Sequence, residues 1–96
     1  MIKHSFEVKL VRKLGLHTTV VYEVLHDLCR EKARLNADYH DGLFWVRCPR
    51  KFLRRTFSYM DITTVDRALR KLRDEGLVVI GHYDEGNGTV NWYATT

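Results

Sequence analysis

The spacing of apolar residues between Arg47 and Gly76 constrains this chain more than any other feature. The stretch reads RCPRKFLRRTFSYMDITTVDRALRKLRDEG. In its second half Ile62, Val65, Leu69 and Leu72 recur at steps of 3, 4 and 3, which places them on one face of an α-helix. Asp61 stands at the N-cap position, where a carboxylate can accept from the free N–H groups of the first turn. Gly76 stands where a left-handed stop is expected. In the first half, Pro49 suits the first turn of a helix, because its fixed φ is helical and its missing N–H would be unpaired there anyway. Phe52, Leu53 and Phe57 supply that helix with an apolar side. Two short amphipathic helices joined by a turn of about four residues form a helix-turn-helix pattern, whose second helix can enter a DNA major groove.

The flanking segments fill out the pattern. Ser5 to Leu14 is expected to be a short helix with Phe6, Leu10, Val11 and Leu14 on one side and Gly15 at its end. Thr18 to Arg34 is expected to be a longer one, with a wide apolar stripe of Val20, Val21, Val24, Leu25, Leu28 and Cys29. Asn36 to Gly42 is polar and turn-rich, and Leu43 to Arg47 is an aromatic and β-branched run that predicts a strand. After the paired helices, Leu77 to Ile80 and Gly88 to Thr96 predict two more strands. The turn between them, Asp84-Glu85-Gly86-Asn87-Gly88, is rich in residues that tolerate positive φ. The expected fold class is therefore α+β: a winged helix-turn-helix with its helices packed on a small three-stranded antiparallel sheet. Residues 1–96 are expected to form a single winged-helix domain.

Charge distribution sharpens the functional expectation. The net charge is +4, and nine of the 16 Lys and Arg residues fall between Arg47 and Arg73, within the helix-turn-helix segment. Arg47, Arg50, Lys51, Arg54 and Arg55 form a run free of acids, whereas His82 to Thr96 contains no Lys or Arg and carries Asp84 and Glu85. A basic run on such a motif points to a polyanion. No apolar run approaches the roughly 20 residues that span a bilayer, so no membrane partner is expected. The N-terminus lacks the apolar core of a secretory signal. Cys29 and Cys48 are expected to be free thiols in a reducing cytoplasm.

With these pieces in order, the chain resembles the N-terminal winged-helix domain of phage replisome organisers. These are origin-binding replication proteins of phages and mobile elements, related to DnaD-type primosomal proteins. The resemblance is carried by LGLHTTVVYEVLHDL (Leu14 to Leu28), DGLFWVRCPRKF (Asp41 to Phe52), TTVDRALRKLRDEGLVVIGHYDEG (Thr63 to Gly86) and NWYAT (Asn91 to Thr95). It implies a domain that binds double-stranded DNA, replication-associated or as a transcriptional regulator. The chain departs from the family where basic residues are common: Thr63 and Asp66 stand early in the second helix, and Gly88-Thr89-Val90-Asn91 precedes the Trp-Tyr pair. Positive charge is instead concentrated on the first motif helix.

Candidate DNA contacts follow from these positions. Arg50, Lys51, Arg54 and Arg55 lie on the helix that crosses the backbone in such motifs, so they suit phosphates. Arg67 and Arg70, one turn apart, suit guanine edges, and Thr63 and Thr64 suit phosphates or a thymine methyl. Asp66 opposes a DNA role unless it accepts from a cytosine N4 group or holds an Arg, and the purely structural alternative is a pair with Arg70 at i+4. Beyond DNA, the weakened charge of the second helix and the acidic wing support an alternative, a phage-borne inhibitor of the anti-CRISPR type that docks on an acidic host protein or nucleoprotein complex. Either form can act as a homodimer. No catalytic residue is assigned: no glycine-rich phosphate loop or nucleophile–base pairing is visible. No metal or other cofactor is assigned either, because His26, Cys29, His40 and Cys48 lack the close pairing of structural zinc sites. Trp45 and Trp92 are expected in the core, with Tyr59 in the turn.

Overall fold

Apolar periodicity accounts for the three long-range helices of the computed structural model, which describes Lys9, residues 11–86 and residues 88–96. Residues 11–14 are helical, and the rest of the helix expected from Ser5, including Phe6 and Leu10, lies outside the described residues except for Lys9. Gly15, at φ 89° and ψ 161°, turns the chain into helix α1, Leu16–Leu35, which starts two residues before the expected Thr18. Val21, Leu25 and Cys29 line its buried side. Asn36 stops it in the left-handed conformation, with the N–H groups of Asn36 and Ala37 donating to the carbonyls of Ala33 and Lys32.

Helices α2, Arg50–Thr56, and α3, Ile62–Asp74, carry the helix-turn-helix pattern. Two local details differ from expectation. Pro49 is the N-cap of α2 and not within its first turn, with φ −65° and ψ 160°. Its extended ψ lets the chain leave a strand, while its carbonyl still accepts the Leu53 N–H at 3.1 Å. Asp61 is the N-cap of α3, but its carboxylate makes no capping bond. Its backbone carbonyl accepts from Thr64 and Val65 instead, at 2.9 and 3.1 Å. The other end behaves as expected. Gly76, at φ 76°, closes α3 with its own N–H on the Arg73 carbonyl and the Leu77 N–H on the Leu72 carbonyl.

Five short strands complete the α+β architecture: β1 Tyr39–His40, β2 Leu43–Phe44, β3 Val46–Arg47, β4 Val78–Gly81 and β5 Trp92–Thr95. The expected strand from Leu43 to Arg47 is broken at Trp45 and serves two sheets. β2 pairs with β1 as a separate antiparallel hairpin, whereas β3 joins β5 and β4 in an antiparallel sheet of order β3-β5-β4. The break has a physical cause: the Trp45 N–H is used by the Asp38 carbonyl at 3.0 Å, and its indole N–H by the His40 carbonyl at 2.7 Å. The last strand is also shorter than expected, beginning at Trp92 and not at Gly88.

Central strand β5 is covered on both faces, and its period of two sorts the core. Tyr93 points to the main cluster with Val46, Val78, Leu25, Phe57 and Leu72. Trp92 and Ala94 point the other way, to Trp45, Leu43, Val79 and Tyr83. Phe57, Leu25 and Leu72 are fully buried, and each such side chain contributes about 1.5–3 kcal/mol of transfer free energy. The second cluster pins the segment between β4 and β5. Tyr83 stacks on His40 at 4.3 Å and donates its hydroxyl to Asp41. Asp84 accepts from the Trp92 indole at 2.8 Å. Gly81 is required here, since a Cβ would come within 2.6 Å of the Tyr83 ring and 3.0 Å of Trp45.

Candidate nucleic-acid interface

Helix α3 presents three different sides. Val65, Ala68, Leu69 and Leu72 are buried against α1 and the sheet. Thr63, Arg67 and Arg70, at i, i+4 and i+7, form an exposed outer ridge. Thr64 is half-buried on the flank facing the start of α1, where it lines a cavity with Arg67 and Lys71. Neither Arg67, Arg70 nor Lys71 has an ion partner among the described residues, so the ridge is a free cationic surface of the kind that pairs with base edges or phosphates.

The basic residues before the turn divide into paired and unpaired. Arg50 donates two hydrogen bonds to Asp66, Nη1 to Oδ1 at 2.8 Å and Nη2 to Oδ2 at 3.1 Å. These bonds raise the Arg50 pKa further above its ordinary value. The alternative Asp66–Arg70 pair within α3 therefore does not form. The packing of α2 on α3 brings Arg50 to the Asp66 carboxylate with both nitrogens in line, a geometry that favours a planar guanidinium. Arg47 is similarly engaged by Asp84, through Nε at 2.9 Å and Nη2 at 2.8 Å. The Asp84 carboxyl is held below the ordinary carboxylate range, first by the Arg47 hydrogen bonds and further by the Trp92 indole, against the opposing effect of burial.

Lys51, Arg54 and Arg55 remain exposed, with no ion partner among the described residues. Arg54 lines a surface cavity with Ser58, Met60, Asp61, Ile62 and Thr63, which joins the basic face of α2 to the start of α3. Lys51 and Arg55, one turn apart, form the neighbouring row of the same helix. Arg70 lies on a further cavity with Arg73, Asp66, Asn91 and Tyr93, at the sheet side of α3. The structure thus gathers Arg54 with Thr63, and Thr64 with Arg67, while withdrawing Arg50.

Reading the sequence alone misses His17 and Thr18, which share the cavity with Thr64, Arg67 and Lys71. Its local signal is the polar His17-Thr18-Thr19 stretch after Gly15, a helix start with no acid in its first turn. Which neighbour that start faces depends on how α1 lies on α3.

The groups considered for metal binding serve the core. Cys29 is buried with its thiol 3.9 Å from the Tyr93 carbonyl, and His26 shares a hydrogen bond of 3.3 Å with Thr95. Both cysteines are buried and free, and burial pushes the Cys48 thiol up to about 12. No group of three or more His, Cys, Asp or Glu among the described residues is placed to hold a metal ion. Tyr59, in the turn between α2 and α3, is 64% exposed, whereas Trp45 and Trp92 are buried and unavailable for stacking on bases. Comparison with protein-family models, with curated proteins and with solved structures finds no match for the chain.

Proposed function

We propose that this chain is a winged helix-turn-helix DNA-binding domain of the phage or mobile-element type, acting in the cytoplasm in replication or transcriptional control. In this reading α3 enters the major groove, α2 crosses the backbone, and the segment between β4 and β5 is the wing. The observation that carries it is the outer ridge of α3. Thr63, Arg67 and Arg70 stand exposed there without ion partners among the described residues, while the acid in the middle of the helix, Asp66, is held by Arg50. Arg67 and Arg70 reach base edges, where one lost bidentate contact costs about 1–3 kcal/mol and relaxes one base position. Lys51, Arg54 and Arg55 contact phosphates.

The test is duplex binding by fluorescence anisotropy across a salt series, followed by site selection from a random pool. Three phosphate contacts from α2 give a slope of log K on log salt of about −3, flattened when Lys51, Arg54 and Arg55 are replaced by Ala. Arg67→Ala and Arg70→Ala should blur the selected motif more than they weaken non-specific binding. A wild type that selects no motif, and whose duplex affinity neither substitution changes, would refute sequence reading.

A second reading rests on Asp66 and Asp84, which neutralise Arg50 and Arg47 and leave a mixed-sign surface. On that reading the domain is an anti-CRISPR-type inhibitor docking on an acidic host protein or nucleoprotein complex, alone or as a homodimer. It predicts no duplex binding even at low salt, and nuclease-resistant capture of a protein partner.

A further inference from the structure

Helix α1 opens onto the flank of α3 across a cavity of about 310 Å³. The first N–H groups of a helix have no acceptor within it and carry the positive end of its dipole. Here no described side chain caps them: the N-cap is Gly15, which has no side chain, and the first turn contains no acid. The Thr19 hydroxyl is turned back to the Gly15 carbonyl at 2.8 Å and is not available. Thr18 differs. It lines the cavity at 9% exposure, and its hydroxyl makes no hydrogen bond among the described residues. Across the cavity stand Thr64, Arg67 and Lys71 from α3, with His17 beside them, and no carboxylate is among the described lining residues. Arg67 and Lys71 have no ion partner among the described residues.

The polar side chains that converge here among the described residues are two hydroxyls, an imidazole and two cations. A half-buried space with such a lining suits a tetrahedral oxyanion, which accepts several hydrogen bonds at once. We propose that this cavity is a phosphate seat, formed jointly by the start of α1 and the Thr64–Lys71 face of α3. Resting on the DNA-binding reading, its occupant is a backbone phosphate of the strand that borders the groove entered by α3, on the α1 side. The opposite flank of α3 has no equivalent, because Asp66 lies in both cavities there. The seat therefore fixes which way α3 is shifted across the groove.

The test is an amide-resolved NMR titration of the whole chain, first with inorganic phosphate and then with a short random-sequence duplex. Inorganic phosphate should shift the Leu16, His17 and Thr18 amides saturably, and Lys71→Ala and Thr18→Val should abolish or weaken that shift. The duplex should move the same amides, and Lys71→Ala should lower the magnitude of the salt slope by about 0.9, the value of one phosphate. Shifts with inorganic phosphate and none with duplex would make the seat one for a free phosphate group and overturn the backbone assignment. Duplex binding through Arg54 and Arg55 with unmoved Leu16–Thr18 amides would overturn the seat and leave the DNA reading standing. No duplex binding together with a saturable phosphate shift would sustain the seat and refute that reading. Lys71 is exposed, so its replacement leaves the fold intact; a native amide spectrum for each variant checks this.

Discussion

The two flanks of α3 treat the same kind of charge in opposite ways. On the sheet side, arginines are engaged by carboxylates remote in sequence, Arg50 by Asp66 and, between β4 and β5, Arg47 by Asp84. On the outer ridge and the α1 side, Arg67, Arg70 and Lys71 face no carboxylate partner among the described residues. Exposed ion pairs add little to stability, but they cancel charge that would otherwise attract a polyanion. The sheet flank therefore joins α2 and the segment between β4 and β5 to the body of the fold, and the ridge and α1 flank keep positive charge that no described carboxylate offsets. A count of basic residues alone treats both flanks alike.

The largest effect expected from breaking this division comes from the buried side. Leu69 is 3% exposed, so Leu69→Asp would bury an unpaired carboxylate at a cost of several kcal/mol, comparable with the whole stability of a small domain. Circular dichroism should show loss of the cooperative thermal transition. The adjacent Arg70→Ala, on the ridge, should melt almost as wild type does. A native melt for Leu69→Asp would mean that the face of α3 is misassigned.

A smaller change sharpens the comparison directly. Asp66→Asn keeps the side-chain shape, removes the negative charge beside Arg50 and returns that arginine to the basic surface. Duplex affinity at low salt should rise, and the salt slope should steepen by about one phosphate's worth, roughly 0.9. Unchanged or weaker binding would show that the pair does not mask Arg50.

The smallest effect concerns the segment between β4 and β5 and depends on pH. The Asp84 carboxyl lies below its ordinary value in the fold, because Arg47 and the Trp92 indole donate to its ionised form. A depressed carboxyl contributes stability above its unfolded pKa, near about 4. That contribution is lost as pH falls through the folded value. The difference in melting temperature between wild type and Asp84→Asn should thus be widest at neutral pH and shrink as the solution is made acid. A difference constant from neutral to acid pH would remove the ion pair as its source.

Much of the candidate interface was legible in the chain. The i, i+3, i+7, i+10 spacing of Ile62, Val65, Leu69 and Leu72 sets the inner face of α3, and so places Thr63, Arg67 and Arg70 outside. What the spacing does not contain is who stands opposite. Asp66 has Arg70 one turn away, a local partner of the right charge, yet Arg50 takes it from another helix. Asp84 likewise meets Arg47, 37 residues earlier in the chain.

The sequence by itself determined helices α1 to α3, the stops at Gly15 and Gly76, the presence of two late strands and the exposed basic residues of α3. These depend on local periodicity and on the conformational preferences of single residues such as Gly15, Asn36 and Gly76, which act over one or two turns. Only the tertiary structure decided the break at Trp45, the hairpin of β1 and β2 over the second aromatic cluster, the withdrawal of Arg50, and the meeting of Thr18 with Lys71. Each of these depends on the packing of one element across another, which places side chains far apart in the chain within hydrogen-bonding reach or around one cavity. Spacing along a single helix or strand carries no information about that crossing.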